Sequence, residues 1–410
     1  MQVSRVIYVV ESPMTPRDFD RFGLDIIRSA EYDVEVWEVD ELFLPRSDSE
    51  SISRARGCDI RRFRSSRSLR EACRRLESDT AVLLLSGVYR GDPDTHVSLI
   101  RGLAASRAVL GSVSAGQRPP IADDSLVPEW TGGLVTRVLR KWRAIGRDGA
   151  EVTHLARLGL GKVSKARARL RARVSPGCIR ALDWVWVGTD VDSFDPRCLG
   201  EGTRVRYIHT WDFDRILRGS GSAASAEGAQ AVYLDSMGPL HPDFPVMGIE
   251  VKVDARAWFS GINRALDDVS RESGAPIVVA AHPCAEPGSL DAHYPGREVV
   301  YGSTDQLIGS SQFVLLSDPT TALGMVAFYG KPAVVLRPPR LFDSHLVELD
   351  RYAELLGLET MALDQVASRW HPPQADLAAY REFLGRYVKH PGTPMEPFWQ
   401  VVALDLAAII

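Results

Sequence analysis

The feature that most constrains the fold is a rhythm in which short β-branched, apolar runs alternate with longer amphipathic stretches. Strands alternating with helices form parallel βαβ units, whose sheet is covered on both faces. Helix-like segments such as Arg17–Ser29 and Leu69–Glu77 separate the first of these runs. The strands predicted in this first half are Arg5–Val10, Val34–Val39, Ala81–Ser86, Ala108–Val113, Trp184–Gly188 and Val205–His209.

The rhythm stops at a stretch of small residues between Arg218 and Ala229 and then restarts. Low side-chain bulk and several glycines make this stretch the best candidate for a linker. Strands are predicted after it at Ala231–Asp235, Pro276–Ala281, Glu298–Tyr301, Phe313–Ser317, Ala333–Leu336 and Glu359–Met361. Helices are predicted at Ala255–Glu272, Pro319–Tyr329, Ser344–Leu356 and Ala375–Tyr387.

The repeated rhythm predicts an α/β protein with two Rossmann-like domains facing each other across a cleft. A chain of 410 residues is long enough for two separate cores. We predict a first domain over residues 1–217, a linker over 218–228 and a second domain over 229–390. Residues 391–410 are expected to form a C-terminal helix that packs on the second domain or crosses back to the first. Ligands of such domains bind at the carboxyl ends of the strands.

Composition excludes several other classes of protein. A net charge of −4 argues against a general nucleic-acid binder. The 5 cysteines are scattered without a CxxC pair, so we expect reduced thiols rather than a disulfide framework. The N-terminal apolar run has no cleavage-site pattern, and the C-terminal one falls short of the roughly 20 residues of a membrane span. We therefore expect a cytoplasmic protein.

One segment, residues 137–173, is strongly basic, with Asp148 and Glu151 as its acidic residues. It can be a solvated helical face. Alternatively, it can make a peripheral contact with anionic lipid at the inner membrane face or with a pyrophosphate-bearing acceptor.

The most informative stretch runs from Gln312 to Leu336. We predict a strand ending at Ser317, with Asp318 capping the next helix and Pro319 at its first position. Thr320 and Thr321 would then lie in the first turn, where unpaired N–H groups and the helix dipole attract anions. The alternative is an ordinary capped helix packed on the sheet.

Two further strand ends carry polar residues. The run from Pro276 ends in a His-Pro pair, and His282 can donate a hydrogen bond or positive charge to a phosphate, or can be structural. The strand from Ala231 leads to Asp235 and a loop containing His241. Asp235 can act as a general base toward an acceptor hydroxyl, or it can close the loop as an Asx turn.

A His-Pro pair, a Ser/Thr-rich helix start and a Gly-Lys-Pro ending together resemble the donor half of GT-B glycosyltransferases. Bacterial sialyltransferases and Kdo transferases of capsule assembly carry a similar pair and signature. Tyr207–Asp214 and Tyr233–Asp243 further resemble proteins of lipopolysaccharide and capsule gene clusters. The resemblance covers roughly Tyr207 to Leu336. It implies Asp235 as the base and His282, Thr320 and Thr321 as ligands of the donor phosphate. We expect Ser317, Asp318 and His241 to belong to the same donor site.

The activity implied by this resemblance is transfer of a sugar from a nucleotide-activated donor to a glycan or lipid-linked acceptor, with no cofactor. Asp190 with Asp192, and Asp212 with Asp214, match the spacing of carboxylates that bind Mg²⁺ or Mn²⁺. Such pairs are also common by chance in Asp-rich loops, and we expect no metal. The alternatives are a non-catalytic scaffold of the same shape, and a nucleotide-sugar epimerase or glycerophosphotransferase.

Overall fold

The computed structural model describes residues 2–43, 54–55, 57–85, 97–115, 179–188, 198–219, 230–242, 244, 251–342 and 345–409. The basic segment 137–173, the Asp190–Asp192 pair and most of the expected linker lie outside these ranges. The chain divides into two compact units. The first comprises Met1–Ser114, Glu129–Arg206 and Trp399–Ile410, and the second comprises Ala115–Pro128 and Tyr207–Phe398. The sequence analysis had placed residues 207–217 in the first domain.

The first unit is built on a mainly parallel sheet. Its strands, in the described part of the chain, are β1 (Arg5–Val10), β2 (Asp33–Glu38), β3 (Arg54–Ala55), β4 (Cys58–Arg62), β5 (Thr80–Leu84), β6 (Val109–Ser114), β7 (Trp184–Val187) and β8 (Arg204–Tyr207). They lie in the order β3-β4-β2-β1-β5-β6-β7-β8. Neighbours from β4 to β7 pair in parallel, and β3 is antiparallel to β4.

Helices connect these strands as the rhythm predicted. They are α1 (Pro16–Arg21), α2 (Leu24–Ser29), α3 (Asp40–Phe43), α4 (Ser66–Arg74) and α5 (Val97–Ala104). The single helix predicted over Arg17–Ser29 is wrong, because the chain turns at Gly23 with a φ of +55°. A Cβ atom at Gly23 would overlap the indole of Trp399, so the turn brings the backbone directly beneath that ring.

The second unit contains a sheet whose neighbouring strands all pair in parallel. Its strands are β9 (Ala231–Leu234), β10 (Ile277–Ala280), β11 (Val299–Val300), β12 (Val314–Leu316), β13 (Ala333–Arg337) and β14 (Glu359–Ala362), in the order β11-β10-β9-β12-β13-β14. Its helices are α6 (Trp211–Gly219), α7 (Ala255–Ser273), α8 (Thr304–Ser310), α9 (Leu323–Tyr329), α10 (His345–Leu356), α11 (Val366–Arg369) and α12 (Leu377–Phe383).

Apolar side chains cover both faces of this second sheet. Along β9, Val232 and Leu234 face one layer, and Ala231 and Tyr233 face the other. This alternation follows from the two-residue period of a strand, and burial of both faces is typical of parallel sheets. The predicted α/β class with two Rossmann-like domains is thereby confirmed.

The predicted start of the helix after β12 is wrong. Helix α9 begins at Leu323, with Ala322 at its N-cap and no side-chain cap. The carboxylate of Asp318 is not available as a cap, because it accepts a hydrogen bond from the Ser236 hydroxyl. Thr320 instead accepts a bond from the Ala322 N–H in the turn before the helix.

The last helix, α13 (Phe398–Ala407), packs in the first unit from Trp399 onward. The Trp399 indole N–H donates to the carbonyl of Arg21 at 2.8 Å, and its ring centroid lies 5.4 Å from that of Tyr8. Further along the helix, Asp405 accepts a bond from the Trp186 indole. Within the described ranges, every helix is too short or too polar to cross a membrane.

Candidate functional site

The candidate site lies where strands β9 and β12 end. The chain continues from β9 to β10 on one side, and later returns to place β12 on the other side of β9. Such a reversal of strand order opens a crevice outside the carboxyl ends of the strands, where ligands of open α/β sheets bind. Leu234 pairs with Leu316, so Asp235 and Ser317 begin their loops at the same level.

Asp235 is 7% exposed, and both of its carboxylate oxygens accept hydrogen bonds. The Tyr294 hydroxyl donates to Oδ1 at 2.5 Å, and the Met237 N–H donates to Oδ2 at 2.9 Å. The backbone N–H of His282 is a third donor. Burial raises the pKa of this carboxyl, the charge of Asp318 adds to the rise, and the three hydrogen bonds oppose it. The bond from Met237 is the Asx turn that was the structural alternative to a base.

A tight turn follows Asp235. Met237 has a φ of +63° and Gly238 a φ of +45°, in the left-handed region. A Cβ at Gly238 would overlap the Trp258 indole, so only glycine lets the backbone lie this close to the ring. The turn then leads directly to His241.

Asp318, at the end of β12, is the second carboxylate of the site. Its Oδ2 accepts from the Ser236 hydroxyl at 2.8 Å, and its Oδ1 lies 3.1 Å from Nε2 of His345. His345 is completely buried, and its Nδ1 accepts from the Leu341 N–H at 3.3 Å. The sequence analysis does not single out His345, because its spacing to other residues carries no signal.

Ser317 belongs to a buried network of hydroxyl groups. Its hydroxyl lies 2.5 Å from that of Tyr233, and the Tyr233 and Tyr294 rings pack against each other. Burial raises the pKa of both tyrosines well above the ordinary value, so both hydroxyls keep their protons. Ser317 therefore links the end of β12 to Tyr233 of β9, a contact that sequence reasoning did not foresee.

His241 and His282 form a pair at the edge of the site. Their ring centroids are 4.9 Å apart and the ring planes are inclined at 66°. Nδ1 of His282 accepts from the Cys284 N–H at 3.2 Å, which places the ring proton on Nε2. Both side chains are half-buried, so solvent and ligands can reach them.

Thr320 and Thr321 occupy the β12 loop beyond Asp318. The Thr320 hydroxyl accepts from the Ala322 N–H at 3.2 Å, and Thr321 is exposed. The structure therefore places both threonines ahead of α9, whereas the sequence analysis placed them in its first turn.

The Asp212–Asp214 pair begins helix α6. Asp214 is buried, accepts from the Phe398 N–H at 2.8 Å and lies 3.4 Å from Nε2 of His209. These contacts give Asp214 a structural role. In the part of the chain that the structure describes, no three His, Cys, Asp or Glu side chains are grouped so that they could hold a metal ion.

No family model matches the chain, and no curated protein matches it. Among solved structures it is similar to the calicheamicin glycosyltransferase CalG4, at 12% identity over 99% of this chain and 96% of that one, with a TM-score of 0.45. A variant of the wall teichoic acid polymerase TagF matches at 8% identity over 98% and 88%, with a TM-score of 0.49. The spinosyn forosaminyltransferase SpnP matches at 11% identity over 99% and 94%, with a TM-score of 0.39. At these identities and scores, the likeness by itself carries no conclusion about chemistry.

Proposed function

We propose that the chain is a GT-B-type glycosyltransferase that moves a sugar from a nucleotide-activated donor to a glycan or lipid-linked acceptor. The reaction belongs to surface polysaccharide synthesis and needs no metal ion. One observation carries the proposal: two carboxylates, Asp235 and Asp318, and two histidines, His241 and His282, lie on adjoining loops at the switch point of a parallel sheet. Crevices of this kind bind nucleotides.

The charges of the side chains in this site favour one position for the donor phosphate. The carboxylates of Asp235 and Asp318 repel an anion, whereas imidazole N–H groups donate to it. The phosphate therefore lies against His241 and His282, with the exposed Thr321 hydroxyl within the same group of loops. Stabilising negative charge on the departing nucleotide is commonly the largest catalytic contribution of such a site.

In this proposal Asp235 accepts the proton of the acceptor hydroxyl. Its raised pKa favours proton uptake, because a base works best when its pKa lies near the working pH. To reach the acceptor, Asp235 has to give up one of its present hydrogen bonds. The bond from the Tyr294 hydroxyl is the one that can be exchanged without opening the turn at Met237.

Thermal unfolding in the presence of UDP, GDP, dTDP, CDP, CMP and ADP, each with and without Mg²⁺, tests the proposal. A ligand that binds only the folded state raises the melting temperature by mass action. We expect one nucleotide to stabilise the protein without metal, and His282→Ala to remove that shift. A shift that requires Mg²⁺ contradicts metal independence, and no shift at millimolar nucleotide contradicts the donor site.

Product analysis then separates the reactions. A glycosyltransferase releases free nucleotide only when an acceptor is present, whereas an epimerase returns a changed nucleotide sugar without any acceptor. A glycerophosphotransferase transfers glycerol phosphate, and a scaffold leaves every donor intact.

A further inference from the structure

The loop that follows β9 comprises Ser236–His241 and is called the β9 loop here. Residues that contact this loop also contact His345, a buried histidine that the proposed chemistry does not use. We propose that His345 is a positioning residue that holds the β9 loop, and with it His241, through Asp318 and Trp258. Two separate sets of contacts lead from His345 to this loop.

The first set is polar. Because the Leu341 N–H donates to Nδ1 of His345, the ring proton lies on Nε2, which faces Oδ1 of Asp318 at 3.1 Å. The other oxygen of Asp318 accepts from the Ser236 hydroxyl. Ser236 in turn accepts from the Gly238 N–H at 3.3 Å. His345 thus supplies positive electrostatic potential to the carboxylate on which the loop depends.

The second set is apolar. The ring centroid of His345 lies 6.1 Å from that of Trp258 and 5.4 Å from that of Phe342. Gly238 of the β9 loop lies directly against the Trp258 indole. The same histidine therefore supports the indole beneath the loop and the carboxylate beside it.

The geometry also predicts that replacing this histidine disturbs the loop. His345 Nε2 is buried, and its N–H has no well-aligned hydrogen-bond acceptor among the described residues, although Asp318 is close. Asp318 is only 15% exposed. An apolar ring at position 345 would leave this largely buried carboxylate facing carbon, a costly arrangement that opening of the loop would relieve.

Amide hydrogen exchange of the full-length protein tests the role directly. The amides of Gly238, Leu240 and His241 donate hydrogen bonds within the loop, and that of Met237 donates to Asp235 just before it, so their exchange reports opening of the loop. His345→Phe keeps the ring but removes both nitrogens. His345→Gln retains an N–H that can reach Asp318.

We expect His345→Phe to accelerate exchange of these four amides at least about tenfold while the β9 strand amides stay protected. His345→Gln should restore most of the protection. A matched control is His371→Gln, because His371 forms an exposed pair with Glu359, at 3.0 Å, where β14 begins. Unchanged loop exchange in His345→Phe overturns the proposal. Equal acceleration in the loop and in β9 also overturns it, since that result indicates general destabilisation.

A second measurement rests on the proposed function. If the β9 loop carries part of the donor site, His345→Phe should lower kcat/KM for the nucleotide sugar about tenfold or more, and His345→Gln should recover it. Loss of loop protection without any nucleotide-dependent activity in the wild-type protein would contradict the glycosyltransferase proposal and leave the positioning role standing. Full activity in His345→Phe would contradict the positioning role.

Discussion

Asp235 and Asp318 lie close together, and each is supported by different donors. Asp235 accepts hydrogen bonds from a tyrosine hydroxyl and from backbone N–H groups. Asp318 accepts a hydrogen bond from a serine hydroxyl and lies next to an imidazole. Hydrogen bonds to a buried carboxylate favour its charged form, whereas burial and a neighbouring negative charge disfavour it. The protonation of Asp235 therefore depends on its surroundings more than that of an exposed carboxylate does.

The raised pKa of Asp235 predicts a pH-dependent effect of Asp235→Asn. The folded state holds the Asp235 proton more tightly than the unfolded state, so this group favours folding below its unfolded pKa of about 3.9. That contribution is lost as pH rises through the raised folded pKa. Asparagine does not titrate. The free energy of unfolding of Asp235→Asn should therefore increase, relative to that of the wild type, as the pH rises above about 4.

Urea unfolding at several pH values measures this difference. The exposed Asp291, which accepts from the Tyr301 hydroxyl, offers the same substitution at a surface carboxylate as a control, Asp291→Asn. A difference between Asp235→Asn and the wild type that stays constant across the pH range would contradict the prediction.

His282→Ala should separate catalysis from stability. The side chain is half-buried and accepts one backbone hydrogen bond, so we expect a loss of about 1 kcal/mol or less in the free energy of unfolding. Turnover should fall by about a hundredfold if His282 stabilises the departing phosphate. The quantities to measure are kcat and the melting temperature of the wild type and of His282→Ala, with His371→Ala as the control. A large loss of stability together with a small loss of turnover would identify a structural histidine.

At this scale, sequence patterns singled out candidate residues at the end of a predicted strand or directly after it, such as Asp235, Ser317 and His282. They did not find Tyr294 or His345. Both reach the site from segments that lie far along the chain, and no local pattern encodes such a contact.

Among the structural elements, the turn after β9 depends most on a single residue type. In Gly238→Ala the alanine has to keep a left-handed φ, which costs about 1–2 kcal/mol. Its Cβ atom also has to displace the Trp258 indole, which costs about 1–3 kcal/mol. We therefore expect a loss of about 2–5 kcal/mol in the free energy of unfolding, measured with urea.

Gly274 provides the matched comparison. It has a φ of +70° at the end of α7, and a Cβ there would meet open space. Gly274→Ala should therefore show the conformational cost alone. Equal losses in the two variants would mean that the indole moves aside freely.

Strands were predictable to within a residue or two where an apolar run is continuous, as at Arg5–Val10 and Trp184–Val187. Strand β4, Cys58–Arg62, was missed because alternate residues in it are charged and more exposed. The start of α9 was misplaced for a different reason. Asp318 looked like a helix cap, but its carboxylate is held by Ser236, from another loop.

For the molecule as a whole, the contribution of helix α13 to the first unit can be measured. Trp399 is fully buried, and replacing such a side chain with alanine commonly costs about 3–5 kcal/mol. Trp399→Ala should therefore accelerate hydrogen exchange in β1 and leave β9 protected. Leu404→Ala on the same helix, where the residue is 63% exposed, should change stability by less than about 0.5 kcal/mol. Equal acceleration in both sheets would show that the units unfold together.

The two-domain α/β organisation was predictable because each half of the sequence repeats the strand–helix rhythm. The sequence analysis does not distinguish between packing of α13 on the second domain and packing on the first. An apolar helix carries no signal for which sheet it covers, and its contacts, such as those of Trp399 with Gly23 and of Asp405 with Trp186, join residues far apart in the sequence.

The return of the chain to the first unit also affects the order in which a nascent chain can mature. Residues 207–398 form a continuous stretch and can close their core as soon as they leave the ribosome. The first unit, although translated earlier, lacks Trp399 until about 190 more residues have been added. At about 5–20 residues per second, that interval is roughly ten to forty seconds. During it, the surface that receives Trp399 stays uncovered, and chaperones have their clearest opportunity to bind.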